Sequence, residues 1–366
     1  MAIPFLDLKA QYASIKPEID AAVLGVLETC GFIGGENLKR FERNFASYMG
    51  AAHAVGSCSG TSALHLALLG AGVKKGDEVI TAVNTFIATT EAITHAGATP
   101  VLVDVEEATQ LIDPAKIEAA ITPKTTCIVP VHLYGQPADM DAIRAIAKRR
   151  GLKVVADAAQ SHGSSINGDR KKCLGDTTAT SFYPGKNLGA AGDAGAVMTD
   201  DENVAAFIRA LGDHGSKEKY HHQWEGWNYR LDAMQAAILD VKLKHLDKWT
   251  AARRSHAARY DKAFEGTNVT PIQAAPGRTH VYHLYVVRVP DRDKTMAKLK
   301  DRGIGVGIHY PIPLHLQPAY AHLGLKKGAF PVAEKVVPQI ISLPMYAELT
   351  GAMVDEAAAA VIDAAK

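Results

Sequence analysis

Short runs rich in β-branched residues recur through the first two thirds of this chain, at 53–58, 78–83, 100–105, 126–131, 153–157, 180–183 and 195–199. Between several of them lie Ala/Leu-rich stretches with helical spacing, such as 61–69, with Leu64 and Leu68 on one stripe, and 138–150, with Met140, Ile143 and Ile146. Strands of four to six residues separated by helix-length segments predict an α/β fold, a mostly parallel sheet with helices on both faces. Near-continuous apolar runs such as 128–131 suit burial on both sides. At roughly 150 residues per domain, the 366 residues make about two domains. A long helix is predicted over 231–249, apolar along Leu231, Met234, Ile238 and Val241 and again along Leu239, Leu243 and Leu246. Such a two-sided helix predicts a bridge between domains or subunits. Beyond it the pattern changes to a strand over 281–289, a helix over 294–302, a strand over 303–309, a proline-marked loop and an Ala-rich helical tail over 355–366. This predicts a smaller α+β domain from about residue 250 to the end.

The charge balance excludes several function classes. Lys plus Arg number 40 against 39 Asp plus Glu, so no global field draws the chain to nucleic acid or to an anionic membrane. No run of about 18 apolar residues offers a membrane span. The start, MAIPFLDLKAQY, lacks the basic and apolar regions of a secretory signal. Cys30, Cys58, Cys127 and Cys173 form no CxxC pair and suit neither a zinc site nor a disulfide framework, so reduced thiols in a cytoplasmic protein are expected.

Open α/β sheets bind ligands beyond the carboxyl ends of their strands. Four strand ends carry candidate chemistry. The strand at 153–157 ends in Asp157, followed by Ala158, Ala159, Gln160, Ser161, His162 and Gly163. The strand at 180–183 runs into Pro184, Gly185, Lys186 and Asn187. The strand at 53–58 opens a helix at Ser59, Gly60 and Thr61, and the strand at 78–83 leads to Asn84, Thr85 and Phe86. Alone, each has a plainer reading. Asp157 could cap a helix, Lys186 could be a solvated loop lysine, Gly60 and Thr61 a tight turn, and Phe86 core. Together they match the needs of pyridoxal phosphate (PLP). Its aldehyde needs a lysine for a Schiff base (Lys186), and its ring nitrogen a carboxylate to stay protonated (Asp157). Its phosphate needs N–H groups at a helix start and hydroxyls (Gly60, Thr61, Ser181), and its ring face an aromatic (Phe86).

Ten segments carry a further likeness. They are PFLDLKAQY at 4–12, FIGG at 32–35, SGTSALHLAL at 59–68, GDEVIT at 76–81, NTFIAT at 84–89, HLYGQ at 132–136, DAAQSHG at 157–163, SFYPGKNLGAAGDAG at 181–195, GWNYRLDAMQAAIL at 226–239 and HYPIPLHLQ at 309–317. On these motifs, which span nearly the whole chain in order, the chain resembles the DegT/DnrJ/EryC1/StrS family of PLP-dependent nucleotide-sugar aminotransferases. The resemblance implies the aspartate-aminotransferase-like architecture (PLP fold type I), with residues 1–249 as N-terminal arm and large PLP-binding domain and 250–366 as the small C-terminal domain. It implies that Lys186 holds PLP and shuttles a proton, that Asp157 pairs with the ring nitrogen, and that Gln160 lies near the phenolic oxygen. Gly60, Thr61 and Ser181 are then expected to bind phosphate, and Phe86 to stack on the ring. Asn228 is expected to reach the phosphate of a neighbouring subunit's cofactor, implying a homodimer with shared active sites. Tyr183, His309 and Tyr310 are expected to face the sugar.

Two departures from the family pattern stand out. Residues 192–195 read GDAG where many relatives have GDGG, so Ala194 tightens the loop if its φ is positive; Ala156 stands where relatives often have Glu. Some relatives carry His at the lysine position and act as dehydratases; Lys186 favours an aminotransferase.

The implied reaction is ping-pong. An amino acid, glutamate by analogy, leaves its amine as pyridoxamine phosphate, and a keto sugar on a nucleoside diphosphate then takes it, as in amino sugar and polysaccharide biosynthesis. Lys217, Lys219, His221, His222 and Arg230 are candidate cations for both anionic substrates, although 217–222 also reads as a solvated basic loop. The stretch 215–232 resembles the subgroup that aminates C3 of a keto sugar, either a dTDP-3-keto-6-deoxyhexose or UDP-2-acetamido-3-keto-glucuronate. SFYPGKNLGA leans to the dTDP group, with 4-keto sugars the remaining alternative. Other classes fit less well. GSCSGTSAL has the wrong spacing for a nicotinamide-binding G-x-G-x-x-G, Gly185-Lys186 lacks the rest of a P-loop, and no HExxH signals a zinc hydrolase. No metal site is expected. An intact Lys186 and Asp157 argue against a PLP-fold regulator without activity.

Overall fold

The computed structural model describes residues 2–366. Its central sheet has seven strands, ordered His53–Ser57, Gly195–Thr199, Thr177–Ser181, Lys153–Asp157, Thr125–Val129, Glu78–Ala82 and Thr99–Val103. Only Gly195–Thr199 runs antiparallel to its neighbours; the others are parallel. The seven strands predicted for this part of the chain are all present, two with the expected bounds and the others with ends shifted by one to three residues. The largest shift is at 177–181, which starts three residues earlier than its apolar run because Thr177 and Thr178 are themselves buried.

Side chains alternate across the pleat, so each buried strand serves two cores. Val79, Val129 and Val155 join helices Gly60–Gly70 and Glu202–Gly212 on one face. Ile80, Ile128 and Val154 join helices Pro114–Ala120 and Met140–Arg150 on the other. Register then aligns the functional ends. Asp157 pairs with Ala179 on the neighbouring strand, and Gly195 lies opposite both Ser57 and Ser181.

The expected helix over 231–249 is two helices, Ala233–Leu243 and Leu246–Phe264. Asp232 caps the first by accepting from the Gln235 N–H at 2.8 Å, which delays its start past Leu231. It ends where Lys244 and His245 donate to the carbonyls three residues back, a tighter turn that breaks the α-helical ladder. The predicted two-sided apolar character has a use within the chain. Ile238 and Val241 pack on Ile15 and Ile19 of the N-terminal helix, while Leu239, Leu243 and Leu246 pack with Phe41, Phe45 and Phe182. The second helix runs straight across position 250.

C-terminal to it, Thr270–Pro271, Tyr285–Arg288 and Ile340–Leu343 form an antiparallel sheet. Helices Arg292–Asp301 and Gly351–Ala364 lie over a separate apolar cluster that includes Tyr260, Leu299 and Val361. The expected strand over 281–289 keeps only 285–288, because the chain turns at Tyr282, where φ is positive. The expected strand over 303–309 is reduced to single bridges, Ile304 with Ile3 and Gly307 with Ser342. Gly305 allows this approach; a Cβ there would lie 2.5 Å from the Phe5 nitrogen. Among the described residues no helix is long and apolar enough to cross a membrane.

Two buried histidines tie stability to pH. His132 accepts from the Ala138 N–H at 3.1 Å through Nδ1, so Nε2 must donate to the Cys173 carbonyl at 2.8 Å. His280 accepts from the Tyr282 N–H at 2.9 Å. Both bonds need the neutral ring, and burial pushes the pKa of His132 down to about 4 and of His280 to about 3. In the unfolded chain each titrates near about 6.5. Protons therefore bind the unfolded state first, and stability present above about pH 6.5 is lost as pH falls toward about 4. The melting temperature should decline steadily over that window. His132→Gln should melt lower at pH 7 but with a shallower slope; equal slopes for the two proteins would refute the assignment.

Candidate active site

The carboxyl ends of the central strands open onto one cavity of about 530 Å³. Each wall follows from local backbone. Strand His53–Ser57 hands over to helix Gly60–Gly70 through Ser59, whose hydroxyl accepts from the Ser62 N–H at 3.1 Å while Ser62 caps in return. The N–H groups of Gly60 and Thr61 lie in the first turn, where a helix leaves donors without internal acceptors. Gly60 sits so close to Ser181 that a Cβ would fall 2.5 Å from the serine Cβ. Only glycine leaves both backbone donors and the Ser181 hydroxyl on one small concave surface, the shape and polarity a phosphate needs.

Asp157 is buried at the end of its strand. Its Oδ2 accepts from the Thr89 hydroxyl at 2.9 Å and its Oδ1 from the Ala159 N–H at 3.1 Å. Burial raises its pKa, opposed by the Ala159 and Thr89 bonds and by the charge of Lys186. Lys186 is half-buried by accessible surface, yet desolvation lowers its pKa to about 8, with Asp157 pulling the other way. The two shifts have one cause, a poorly hydrated cavity that penalises each charge and leaves them to stabilise one another. His162, His283 and His309 are held neutral around the lysine, first by burial and then by its positive charge.

The small-residue loop 184–195 has little side chain with which to hold itself. It is pinned from outside. Lys242 donates to the Gly189 carbonyl at 2.7 Å and Gln235 accepts from the Ala191 N–H at 2.8 Å. These residues are seven apart, two turns on one face of helix Ala233–Leu243. Asn187 donates to the Val281 carbonyl at 2.9 Å. At Gly189 an added Cβ would lie 2.3 Å from the Pro184 carbonyl oxygen, so the turn admits only glycine. Ala194 is not among the residues with positive φ, so the expected tightening does not occur there.

Phe86 is 51% exposed, which removes its plainer reading as core. It caps helix Ile87–His95 and faces Tyr310 at 5.3 Å between ring centroids. Gln160 accepts from the Tyr134 N–H at 2.7 Å and donates to the Tyr310 hydroxyl at 3.2 Å. Tyr134 in turn donates to the His309 carbonyl at 2.7 Å.

The cavity thus brings together Gly60, Thr61, Phe86, Asp157, Gln160, Ser181, Tyr183, Lys186, His309 and Tyr310. Asn228, Lys219, His221, His222 and Arg230 do not line it. Lys219, His221, His222 and Asn228 are exposed on or beside the hairpin Ser216–Glu218 and His221–His222, and Arg230 is paired with Asp213. Sequence reasoning missed Phe5, Leu6, Thr85, Thr89, Asp193 and Leu284 as lining residues. Thr85 and Thr89 were within reach, since they follow a strand's carboxyl end. Phe5, Leu6 and Leu284 arrive only through packing of distant segments.

The donor cradle, the buried carboxylate and the amine fit PLP in chemistry and in placement. The comparisons point the same way. The family model described as "DegT/DnrJ/EryC1/StrS aminotransferase family" matches residues 13–362. A "Pleiotropic regulatory protein" of Geobacillus stearothermophilus is 51% identical over 355 residues, covering 95% of each chain. A dTDP-3-amino-3,4,6-trideoxy-alpha-D-glucose transaminase of Streptomyces venezuelae is 46% identical over 344 residues, covering 94% of this chain and 91% of that protein. The solved structure of S. venezuelae DesV in complex with a ketimine intermediate superposes with a TM-score of 0.97 at 45% identity, covering 100% of this chain and 99% of that one.

One prediction follows from the amine. Ordinary lysines titrate near about 10.4, so near pH 7.5 Lys186 carries far more free amine than they do. Lys242 is also lowered to about 8, but it does not line the cavity. Brief exposure to PLP followed by borohydride should place the label on the peptide containing Lys186 in mass mapping. Label spread over exposed lysines, with that peptide unmodified, would overturn the site.

Proposed function

Because the chain belongs to the DegT/DnrJ/EryC1/StrS aminotransferase family, we propose that it transfers an amino group to C3 of a nucleotide-linked 3-keto sugar, a dTDP-3-keto-6-deoxyhexose. The chain is a transaminase, and its cofactor is PLP. The observation that carries the reading is the convergence of the Lys186 amine and the Asp157 carboxylate on a single cavity, each stabilising the other's charge.

When bound, PLP supplies an electrophilic aldehyde and a ring that spreads the charge left when a neighbouring carbon loses its proton. The protein supplies the rest. Nζ of Lys186, whose pKa burial lowers to about 8, would carry a proton from the donor's carbon to the cofactor's former aldehyde carbon in the first half of the cycle, and from that carbon to the sugar's carbon in the second. The ionised Asp157 holds a positive charge at the ring nitrogen. Gly60, Thr61 and Ser181 would bind the phosphate, Phe86 would cover the ring, and Gln160 would lie by the phenolic oxygen. Tyr183, His309 and Tyr310 face the sugar.

Glutamate is the proposed amine donor. A homodimer is also part of the proposal. Leu24, Leu27, Phe32 and Ile33 are exposed apolar residues at the end of the long N-terminal helix, a patch suited to a second copy. Asn228, Lys219, His221, His222 and Arg230, turned away from their own cavity, would then complete the neighbour's site. We also assign residues 1–249 to the large and 250–366 to the small domain, supported by an apolar cluster drawn from the C-terminal part except for Ile3 and Leu6 of the N-terminal arm. The dTDP-3-amino sugar transaminase among the relatives supports the choice of sugar.

Purified enzyme given glutamate and a panel of dTDP- and UDP-linked 3-keto and 4-keto sugars should aminate the dTDP-3-keto-6-deoxyhexose fastest. Turnover confined to 4-keto sugars would refute the carbon assigned, and preference for a UDP-3-keto sugar the nucleotide. Asp157→Asn should fold normally and lose orders of magnitude in rate; a rate near that of the parent would overturn its role.

A further inference from the structure

Asp157 does not meet Thr89 alone. The Thr85 and Thr89 hydroxyls lie 3.1 Å apart, and Thr89 lies 2.9 Å from Oδ2 of Asp157. All three residues are buried, Thr85 and Thr89 to within 3% exposure. An ionised carboxylate only accepts, so the Thr89 proton must point to Asp157. The Thr89 oxygen is then left to accept, and the proton of Thr85 must point to it. The polarity of the whole chain is fixed by its last member, with each hydroxyl strengthening the next in a medium of low dielectric.

We propose that Thr85 and Thr89 form a hydroxyl relay that keeps Asp157 ionised and aimed at the cofactor's ring nitrogen, Thr89 being a positioning residue for this reaction. The inference rests on the role proposed above for Asp157. Burial works against that role, since it favours the neutral acid, which cannot hold a cationic ring nitrogen. Three groups oppose burial: the Ala159 N–H, the Thr89 hydroxyl and the Lys186 charge. Lys186 is occupied by the cofactor in the loaded enzyme, and the Ala159 donor belongs to the backbone. Thr89 is therefore the only one of the three that a side-chain change can remove without touching the reacting groups. Tyr310, a titratable group on the segment packed across the cavity, feels the Asp157 charge, which disfavours its deprotonation. Thr89 lies in the first turn of helix Ile87–His95, four residues after Thr85, so both hydroxyls meet at one helix start.

The test compares Thr89→Val, Thr89→Ser, Thr85→Val and Asp157→Asn by two readouts. One is the dissociation constant of PLP, titrated into the enzyme stripped of cofactor, from pH 6 to 9. The other is the acid limb of the kcat profile. Thr89→Val should weaken PLP binding at pH 7 by on the order of tenfold and move both acid limbs up by about one pH unit. Thr89→Ser should restore both, and Thr85→Val should shift both in the same direction by less. If Thr89→Val and Thr89→Ser bind PLP equally, or if Thr89→Val lowers only the melting temperature, the residue serves packing and the relay is refuted. The binding readout needs no sugar, so it is independent of the substrate proposed. If Asp157→Asn leaves both readouts unchanged, the role of Asp157 itself fails; if it alters them while Thr89→Val does not, only the relay fails.

Discussion

The site depends on keeping an amine and a carboxylate in a place that suits neither. Desolvation lowers the pKa of Lys186 to about 8 and raises that of Asp157, while each is stabilised by the other. In open water the lysine would be fully protonated and inert as a nucleophile, and the carboxylate too well hydrated to discriminate. The surroundings are therefore mostly apolar or neutral: Phe86, Leu64, Val131 and three imidazoles that burial holds uncharged, with Asp193 at the exposed rim. What counters desolvation is a few directed hydrogen bonds rather than solvent.

Holding the lysine's own loop in line falls to residues outside the cavity. The loop after Lys186 is small by necessity, because Gly189 and Gly195 lie against backbone atoms that a Cβ would strike. Small residues cannot lock themselves, so helix Ala233–Leu243 supplies Gln235 and Lys242 as two fixed points. The apolar stripes of that helix, which serve the N-terminal helix on one side and the cluster around Phe182 on the other, seat those points. Lys242 illustrates the cost. It is a buried cation with a lowered pKa, of a kind that proteins retain for position more than for stability.

The exposed parts have a different logic. Leu24, Leu27, Phe32 and Ile33 are left bare on the N-terminal arm, and the basic hairpin with Lys219, His221 and His222 stands away from its own cavity. A single chain holds the cofactor's surroundings and leaves the cationic side of the site open. In the homodimer proposed above, the cations of a second copy would meet the two negative charges of a nucleoside diphosphate.

Much of this was legible in the chain itself. Short apolar runs marked the strands of the central sheet, because parallel strands buried on both faces are mostly apolar, and the threonine-rich 177–181 was the one whose start they misplaced most. The rule that ligands gather at strand carboxyl ends is enough to place Asp157, Lys186, Gly60 and Phe86 around one crevice. The break at Lys244 was not legible, since both sides of it have helical periodicity and only hydrogen-bond geometry separates them. The contraction of the expected strand over 303–309 was equally hidden, for it depends on Phe5 arriving from the other end of the chain. The amino-acid sequence by itself determined the sheet, the residue types at its ends and the chemistry they permit, because those follow from local pattern and from the two-residue and 3.6-residue periods of strand and helix. Only the tertiary structure decided that Thr85 and Thr89 line up behind Asp157, that Lys242 reaches Gly189, and that Lys219, His221 and His222 stay clear of the cavity. Those are contacts between residues distant in sequence or directions of side chains, and no local pattern encodes a distance.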